Sequence, residues 1–262
     1  MTYKTVHIIC FSPTRTSYRV AKEIADGTGI EHLQEHDLTL ADSKGCRLGK
    51  EDFAIIAVPT YAGRVSLTAI ERLQAIQGEE TPAAVVVLYG NRDYEDALIE
   101  ARNTARSLGF IPVAGAAFIG EHSYSSPDMP IAQGRPDTKD LVIARNFGKQ
   151  IARILQGTED IQDISLPVKG NSPYKERPQR TPASPDTIRE RCTGCGYCAT
   201  ICPTGAITIK DIAESDDNTC IKCCACVKRC PNQARTFFTP FREYLYQNFQ
   251  ARKEPELFYP NK

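Results

Sequence analysis

The chain lacks a charge surplus of either sign. Its 262 residues carry 32 Lys and Arg against 32 Asp and Glu, so no basic excess argues for nucleic acid and no acidic excess for a solvating tail. A basic stripe or nucleic-acid recognition motif is missing too. No apolar run approaches the roughly 20 residues that span a bilayer. The opening MTYKTVHIICF has neither the apolar core nor the small-residue cleavage site of a secretory leader. The expectation is a cytoplasmic protein that engages neither membrane nor nucleic acid. No Ser-His-Asp set or paired-carboxylate arrangement can be assembled, and no G-x-G-x-x-G fingerprint marks an NAD(P)H domain. Length allows one sizeable domain and a smaller one, and leaves the oligomeric state open.

Cysteine is what the chain has in plenty. Of its 11 cysteines, Cys10 and Cys46 stand alone and the rest crowd between 192 and 230. In a reducing compartment such density points to metal rather than to disulfides. The crowd repeats itself: Cys192, Cys195, Cys198, Cys202 and Pro203 recur 28 positions on as Cys220, Cys223, Cys226, Cys230 and Pro231. Both copies read C-x2-C-x2-C-x3-C-P. Zinc sites usually use separated C-x2-C pairs and fit this poorly, whereas the spacing is that of two-cluster iron–sulfur proteins. A tight loop turns three thiolates around one corner of a cubane, Gly194 and Gly196 let the backbone come close, and proline stops the short helix that follows.

Residues 186–237, with PTGAITI after the first motif, resemble the bacterial 2[4Fe–4S] ferredoxin family. The resemblance implies two [4Fe–4S] clusters. In such proteins the fourth cysteine of each motif serves the other cluster. One set is then Cys192, Cys195, Cys198 and Cys230, the other Cys220, Cys223, Cys226 and Cys202. Cys224 is left over, as a small packing residue. Ferredoxins of this type are typically very acidic, but residues 188–236 carry seven Lys and Arg against five Asp and Glu. Their docking surface is therefore not expected to be that of a general acidic carrier. The run DIAESDD (211–217) reads as a solvated insertion.

Residues 1–158 alternate in a β-α-β manner. TVHIICF (5–11), FAIIAVP (53–59), AAVVVLY (83–89) and PVAGAAFI (112–119) are the continuous apolar runs of parallel strands buried on both faces. GIEHLQEHDL (29–38) is a more polar candidate for an edge strand. Amphipathic segments at 17–27, 66–77, 93–108 and 137–156 predict the helices. The expected fold class is α/β, a doubly wound five-stranded parallel sheet, joined to a small α+β domain.

The loop after the first strand, SPTRTS, puts Ser12, Thr14, Thr16 and Ser17 around the start of a helix, where an anion is favoured. Ordinary helix capping is the competing reading. This loop resembles that of flavodoxins, T/S-x-T-G-x-T, with Arg15 in place of the glycine, adding a cation beside the phosphate. Two later loops extend the resemblance. Pro59, Thr60, Tyr61, Ala62 and Gly63, and then Tyr89, Gly90, Asn91, Arg92 and Tyr94, stand where flavodoxins enclose the flavin ring. Tyr61 is placed to stack on the isoalloxazine. His122, just beyond the last strand, reads as a hydrogen-bonded loop histidine or as a proton donor to reduced flavin. His7 reads as structural, and His32 and His36 as polar edge-strand positions.

With both resemblances the whole chain looks like the flavodoxin–ferredoxin fusions. They imply FMN and two [4Fe–4S] clusters, and electron transfer between redox partner proteins that handle one and two electrons. The alternative is an oxidoreductase acting on a quinone or NAD(P)H with the clusters as its wire. The expected division is 1–158 for the flavodoxin-like domain, 159–185 for a proline-rich linker, 186–237 for the ferredoxin domain and 238–262 for a helix and tail. The linker is expected to run back across the first domain to the flavin edge, and the tail helix to secure the small domain.

Overall fold

A computed structural model describes residues 3–158 and 160–261. In the first domain the apolar runs pair as parallel strands: β1 (Thr5–Cys10), β2 (His32–Asp37), β4 (Asp52–Tyr61), β7 (Thr81–Tyr89) and β8 (Phe110–Ile119). They lie in the order β2-β1-β4-β7-β8, with Ile8 beside Ile55 and Val86 beside Ala116. Every residue of β7 is buried, as a continuous apolar run requires when helices cover both faces. The polar strand β2 forms the edge. Helices α1 (Thr16–Thr28) and α4 (Thr138–Gly157) cover one face through Val20, Ile24, Phe147 and Ile151. Helices α2 (Leu67–Leu73) and α3 (Ala97–Ser107) cover the other through Ala69, Leu73, Leu98 and Ala101. The strand order is the flavodoxin-like one, whose crevice opens at the carboxyl ends of the strands, here where β1 and β4 send their connections to opposite faces.

Three features lie outside the sequence expectation. Strand β5 (Arg64–Val65) folds back on the end of β4, Thr60 beside Val65. Ala62 and Gly63 in the turn both have positive φ, the conformation a two-residue type I′ hairpin requires. Strand β13 (Glu256–Phe258) adds antiparallel to β8, Leu257 beside Ala116. Its side chains alternate, Leu257 packing toward the α1/α4 core and Phe258 toward the α2/α3 core. The tail thus covers a sheet edge that would otherwise present unpaired backbone groups. A separate two-stranded ladder joins β3 (Cys46–Leu48) to β6 (Ile76–Gly78).

The small domain has little core of its own. β9 (Asp186–Thr187) pairs with β12 (Arg235–Thr236), and β10 (Ile207–Ile209) with β11 (Ala213–Ser215). One-turn helices α5 (Tyr197–Thr200) and α6 (Ala225–Lys228) lie in the two cysteine motifs. Helix α7 (Pro240–Asn248), capped by Thr239, leads into the tail.

The segment between α4 and β9 is a strap fastened along its length. Ile164 packs in the α1/α4 core and Leu166 in the α2/α3 core, so the strap passes round the β8 edge. It then follows α3 toward that helix's N-terminus. The Asp96 carboxylate accepts from the backbone N–H of Asn171 and Lys175 at 2.8 and 2.7 Å. Glu100 accepts from Arg177 at 2.8 Å and from Arg64 at 2.6 Å. Among the described residues no helix is long and apolar enough to cross a membrane.

Candidate functional site

Each cysteine motif turns from a loop into a single helical turn, and the 28-residue repeat holds in conformation as well as in sequence. Gly194, Gly196 and Gly205 have φ of 65, 78 and 66°. Their counterparts Lys222, Cys224 and Gln233 take φ of 56, 55 and 49° without being glycine, a conformation that costs roughly 1–2 kcal/mol for each L-residue. Cys224 is therefore the counterpart of Gly196, the left-handed residue that begins the helical turn. Its side chain is 2% exposed and its thiol turns back toward its own loop, 3.7 Å from the Lys222 carbonyl.

The thiols fall into two sets. Cys192, Cys195, Cys198 and Cys230 line one hollow, with Gly194, Gly196 and Arg235. Cys202 lies near enough to Cys220, Cys223 and Cys226 for its charge to raise their thiol pKa values, after burial, which is the larger cause. Backbone amides point at the sulfurs in matching places: Ala206 N–H to Cys202 and Ala234 N–H to Cys230, both at 3.3 Å. N–H donation from Ala213 and then Gly194 holds the Cys192 thiol below its ordinary pKa. Amide donors favour thiolates, the form that binds metal. Among the described residues no three His, Cys, Asp or Glu side chains converge as ligands of a single metal ion, and the first set rings a hollow instead.

At the crevice, Arg15 takes φ 66°, the left-handed conformation that the glycine of the family pattern supplies without strain. The backbone path is thereby kept. The Arg15 side chain, expected beside a phosphate, lies instead 3.2 Å from Asp37 and over the Tyr18 ring. Ser12 Oγ accepts from Tyr18 N–H at 3.2 Å, and Thr14 Oγ1 is 3.4 Å from Thr16 Oγ1. Ser17 Oγ and Thr60 Oγ1 are buried without a partner, and no side chain caps α1. Ser17 is only 1% exposed.

The 89–94 loop departs from expectation. Its side chains are engaged within the protein: Asn91 donates to the Phe249 and Ala251 carbonyls at 2.7 and 2.9 Å, Tyr94 O–H to Glu256 at 2.8 Å, and Arg92 pairs with Glu95. Tyr89 and Tyr94 are buried against each other, 5.3 Å between centroids. The C-terminal tail claims Asn91 and Tyr94, and nothing along the chain marks where that tail lies. Gly90 remains necessary, because a methyl there would fall 2.2 Å from the His122 ring.

The small domain sits on this edge of the sheet. Tyr61, like Ile221, packs against the cluster of Ile201, Cys223 and Ala225, so the ring expected to stack on a flavin lies against the cysteine-motif domain. Lys228 pairs with Glu121 and donates to the Ser125 carbonyl at 2.6 Å, and Arg72 donates to the Pro203 carbonyl. Tyr124 joins His122 at 4.9 Å to Phe237 at 5.1 Å. Tyr124, Glu121, Arg72 and Lys228 were not legible as site residues, since each is an ordinary polar residue until the two domains meet. Tyr124 N–H donates to His122 Nδ1 at 3.0 Å, which puts the proton of the neutral ring on Nε2. His7 and His36 face each other across β1 and β2 at 2.9 Å.

A 4Fe-4S binding domain model matches residues 185–208, which contain the first motif. The chain joins a flavodoxin-like domain to a 4Fe–4S binding domain. Such a chain is built for electron transfer with an iron–sulfur centre. Solved structures similar to it include a flavodoxin of Streptococcus pneumoniae TIGR4, 15% identical, covering 58% of this chain and 99% of that one at a TM-score of 0.38. An archaeal flavodoxin is 15% identical over 60% of this chain and 99% of its own at 0.34. Rubredoxin oxygen:oxidoreductase of Desulfovibrio gigas is 12% identical over 60% of this chain and 36% of its own at 0.40. The fold is carried by the strand order, not by these likenesses. None of the curated proteins compared with the chain matches it.

Proposed function

We propose that this protein is an electron relay in which FMN in the first domain and two [4Fe–4S] clusters in the second exchange electrons, joining two-electron and one-electron redox partner proteins in the cytoplasm. The observation that carries it is the packing of Tyr61, in the β4–β5 hairpin, against the cluster of Ile201, Cys223 and Ala225 from the two cysteine motifs, which brings the two candidate sites together. FMN accepts two electrons and releases them singly, and each cluster passes one.

The residues present fit both groups. For the flavin phosphate, the Ser12–Ser17 loop offers the uncapped N-terminus of α1 and a buried Ser17 hydroxyl in need of a partner. For the clusters, the donor set is four cysteines per site with amides aimed at sulfur. The set around Cys202 faces the flavin edge. The other set includes Cys195, which is exposed, and is the port for an outside partner.

An anaerobic count of iron, sulfide and flavin tests the reading directly. About eight irons, eight sulfides and one FMN per chain are expected. Four irons or fewer after full reconstitution, or stoichiometric zinc, refutes the two-cluster part. Turnover of a quinone or NAD(P)H by the isolated protein would favour the oxidoreductase reading over the relay.

A further inference from the structure

A buried arginine lies between the two sets of thiols. Arg235, in β12, is 4% exposed and lines the same hollow as Cys192, Cys195, Cys198 and Cys230. Four of its five N–H groups are taken by the protein. Nη1 donates to Thr187 Oγ1 and the Ala213 carbonyl, and Nη2 to the Pro185 carbonyl and Ser215 Oγ. The fifth, on Nε, is buried without a hydrogen-bond partner. The Arg235 charge acts on Cys192 and Cys198 of that hollow and on Cys226 of the other set. No carboxylate pairs with Arg235 among the described residues: all four of its acceptors are neutral. Burying an unpaired charge is costly, and thiolate-ligated clusters are the anions that would repay it.

We propose that Arg235 is the residue that sets the reduction potentials of the two clusters, raising both and raising more the one held by Cys192, Cys195, Cys198 and Cys230, whose hollow it lines. The physical reasoning is electrostatic and rests on the two-cluster reading above. Each cluster takes up one electron and becomes one unit more negative. A fixed positive charge in a low-dielectric site favours the more negative form. An N–H directed at a ligand sulfur does the same, and both are recognised means of tuning cluster potential. Arg235 lines the hollow of the outer set, so an electron entering at the Cys195 side would be held there more firmly than on the cluster nearer the flavin.

The test uses the full-length, cluster-loaded protein. Redox titration followed by electron paramagnetic resonance is run on wild type, Arg235→Lys and Arg235→Met. Arg235→Met should lower the potential of the cluster held by Cys192, Cys195, Cys198 and Cys230 by at least tenfold in its reduced-to-oxidised ratio, about 59 mV for a one-electron couple, and lower the other by less. Arg235→Lys, which keeps the charge and loses the fork, should fall between. Since either variant could fail to assemble, wild-type protein labelled with 15N-arginine is also examined by pulsed resonance. A 15N coupling to one reduced cluster is expected, and Arg235→Lys should abolish it if that variant loads. Eight irons present with no 15N coupling, or with unchanged potentials in a loaded Arg235→Met variant, overturns the role of Arg235. Failure of the wild type to hold eight irons overturns the cluster reading instead.

Discussion

A cysteine in the left-handed conformation and a serine without a partner show how much one residue can separate binding from folding. Cys224 occupies the place that Gly196 holds in the first copy, so Cys224→Gly is expected to leave iron content unchanged and to stabilise the protein by about 1 kcal/mol, measured by iron assay and thermal unfolding. Cys223→Ala should lose the cluster facing the flavin, because its thiol is one of that set. Ser17 gives a sharper contrast. Its hydroxyl is buried and unpaired, so Ser17→Ala should leave the flavin-free protein as stable or more so. The same change should weaken FMN binding about tenfold or more, through loss of a charge-assisted hydrogen bond. Unchanged affinity in a flavin titration would remove Ser17 from the phosphate site. His122 is a residue-scale probe of pH. Burial, then the charges of Lys228 and Arg92, lower its pKa to about 4. The unfolded chain, with a histidine near 6.5, binds more protons between those values. Stability should therefore rise with pH from about 4 to about 6.5 and level off above. His122→Gln should flatten that slope in parallel melts.

At the scale of elements, the strap and the tail matter more than their polar composition suggests. Asp96 is buried, which raises its pKa, yet the N–H groups of Lys175 and Asn171 outweigh burial and hold it below the usual carboxylate range. Asp96→Ala should cost roughly 3 kcal/mol, since several buried donors lose one acceptor, and should raise hydrogen exchange along 168–177. Equal exchange in variant and wild type would show that the strap needs no such anchor. The α1–α4 contact has less tolerance still. Gly148→Ala would place a methyl 2.1 Å from the Ile24 carbonyl oxygen and is expected to destabilise by at least 1–3 kcal/mol. Strand β13 does two jobs, covering the edge of β8 and, through Glu256 and the 249–253 segment before it, holding the 89–94 loop. Deleting the tail therefore disturbs the flavodoxin-like domain as well as the small one.

In the whole molecule, the two domains meet through a few specific contacts: Tyr61 with the cluster of Ile201, Cys223 and Ala225, Lys228 with Glu121, Arg72 with the Pro203 carbonyl. In the proposed relay, docking of this kind would make electron exchange an internal event. Reduction of the flavin by reduced clusters should proceed at a rate independent of protein concentration in rapid anaerobic mixing. Lys228→Glu reverses one partner of a half-buried pair and leaves Glu121 facing a like charge, a change expected to cost roughly 2 kcal/mol of docking. It should slow the internal transfer while iron and flavin content stay the same. A rate that scales with concentration would mean that the fusion only keeps two carriers together.

Sequence by itself determined the parts with a local cause. Strands β1, β4, β7 and β8 were legible because a run buried on both faces must be apolar throughout, and the cysteine motifs because a cubane demands fixed spacing. The strained positions Lys222 and Cys224 were hidden for the opposite reason: the 28-residue repeat places them opposite glycines, but their own residue types favour no such backbone. Only the tertiary structure decided that the tail becomes a strand, that Asn91 and Tyr94 serve the tail, and that Arg15 leaves the loop for Asp37. It also decided that Tyr61 meets the cysteine-motif domain. Each of these joins residues far apart in the chain through contacts that exist only once both cores have formed, and no spacing along the chain encodes them.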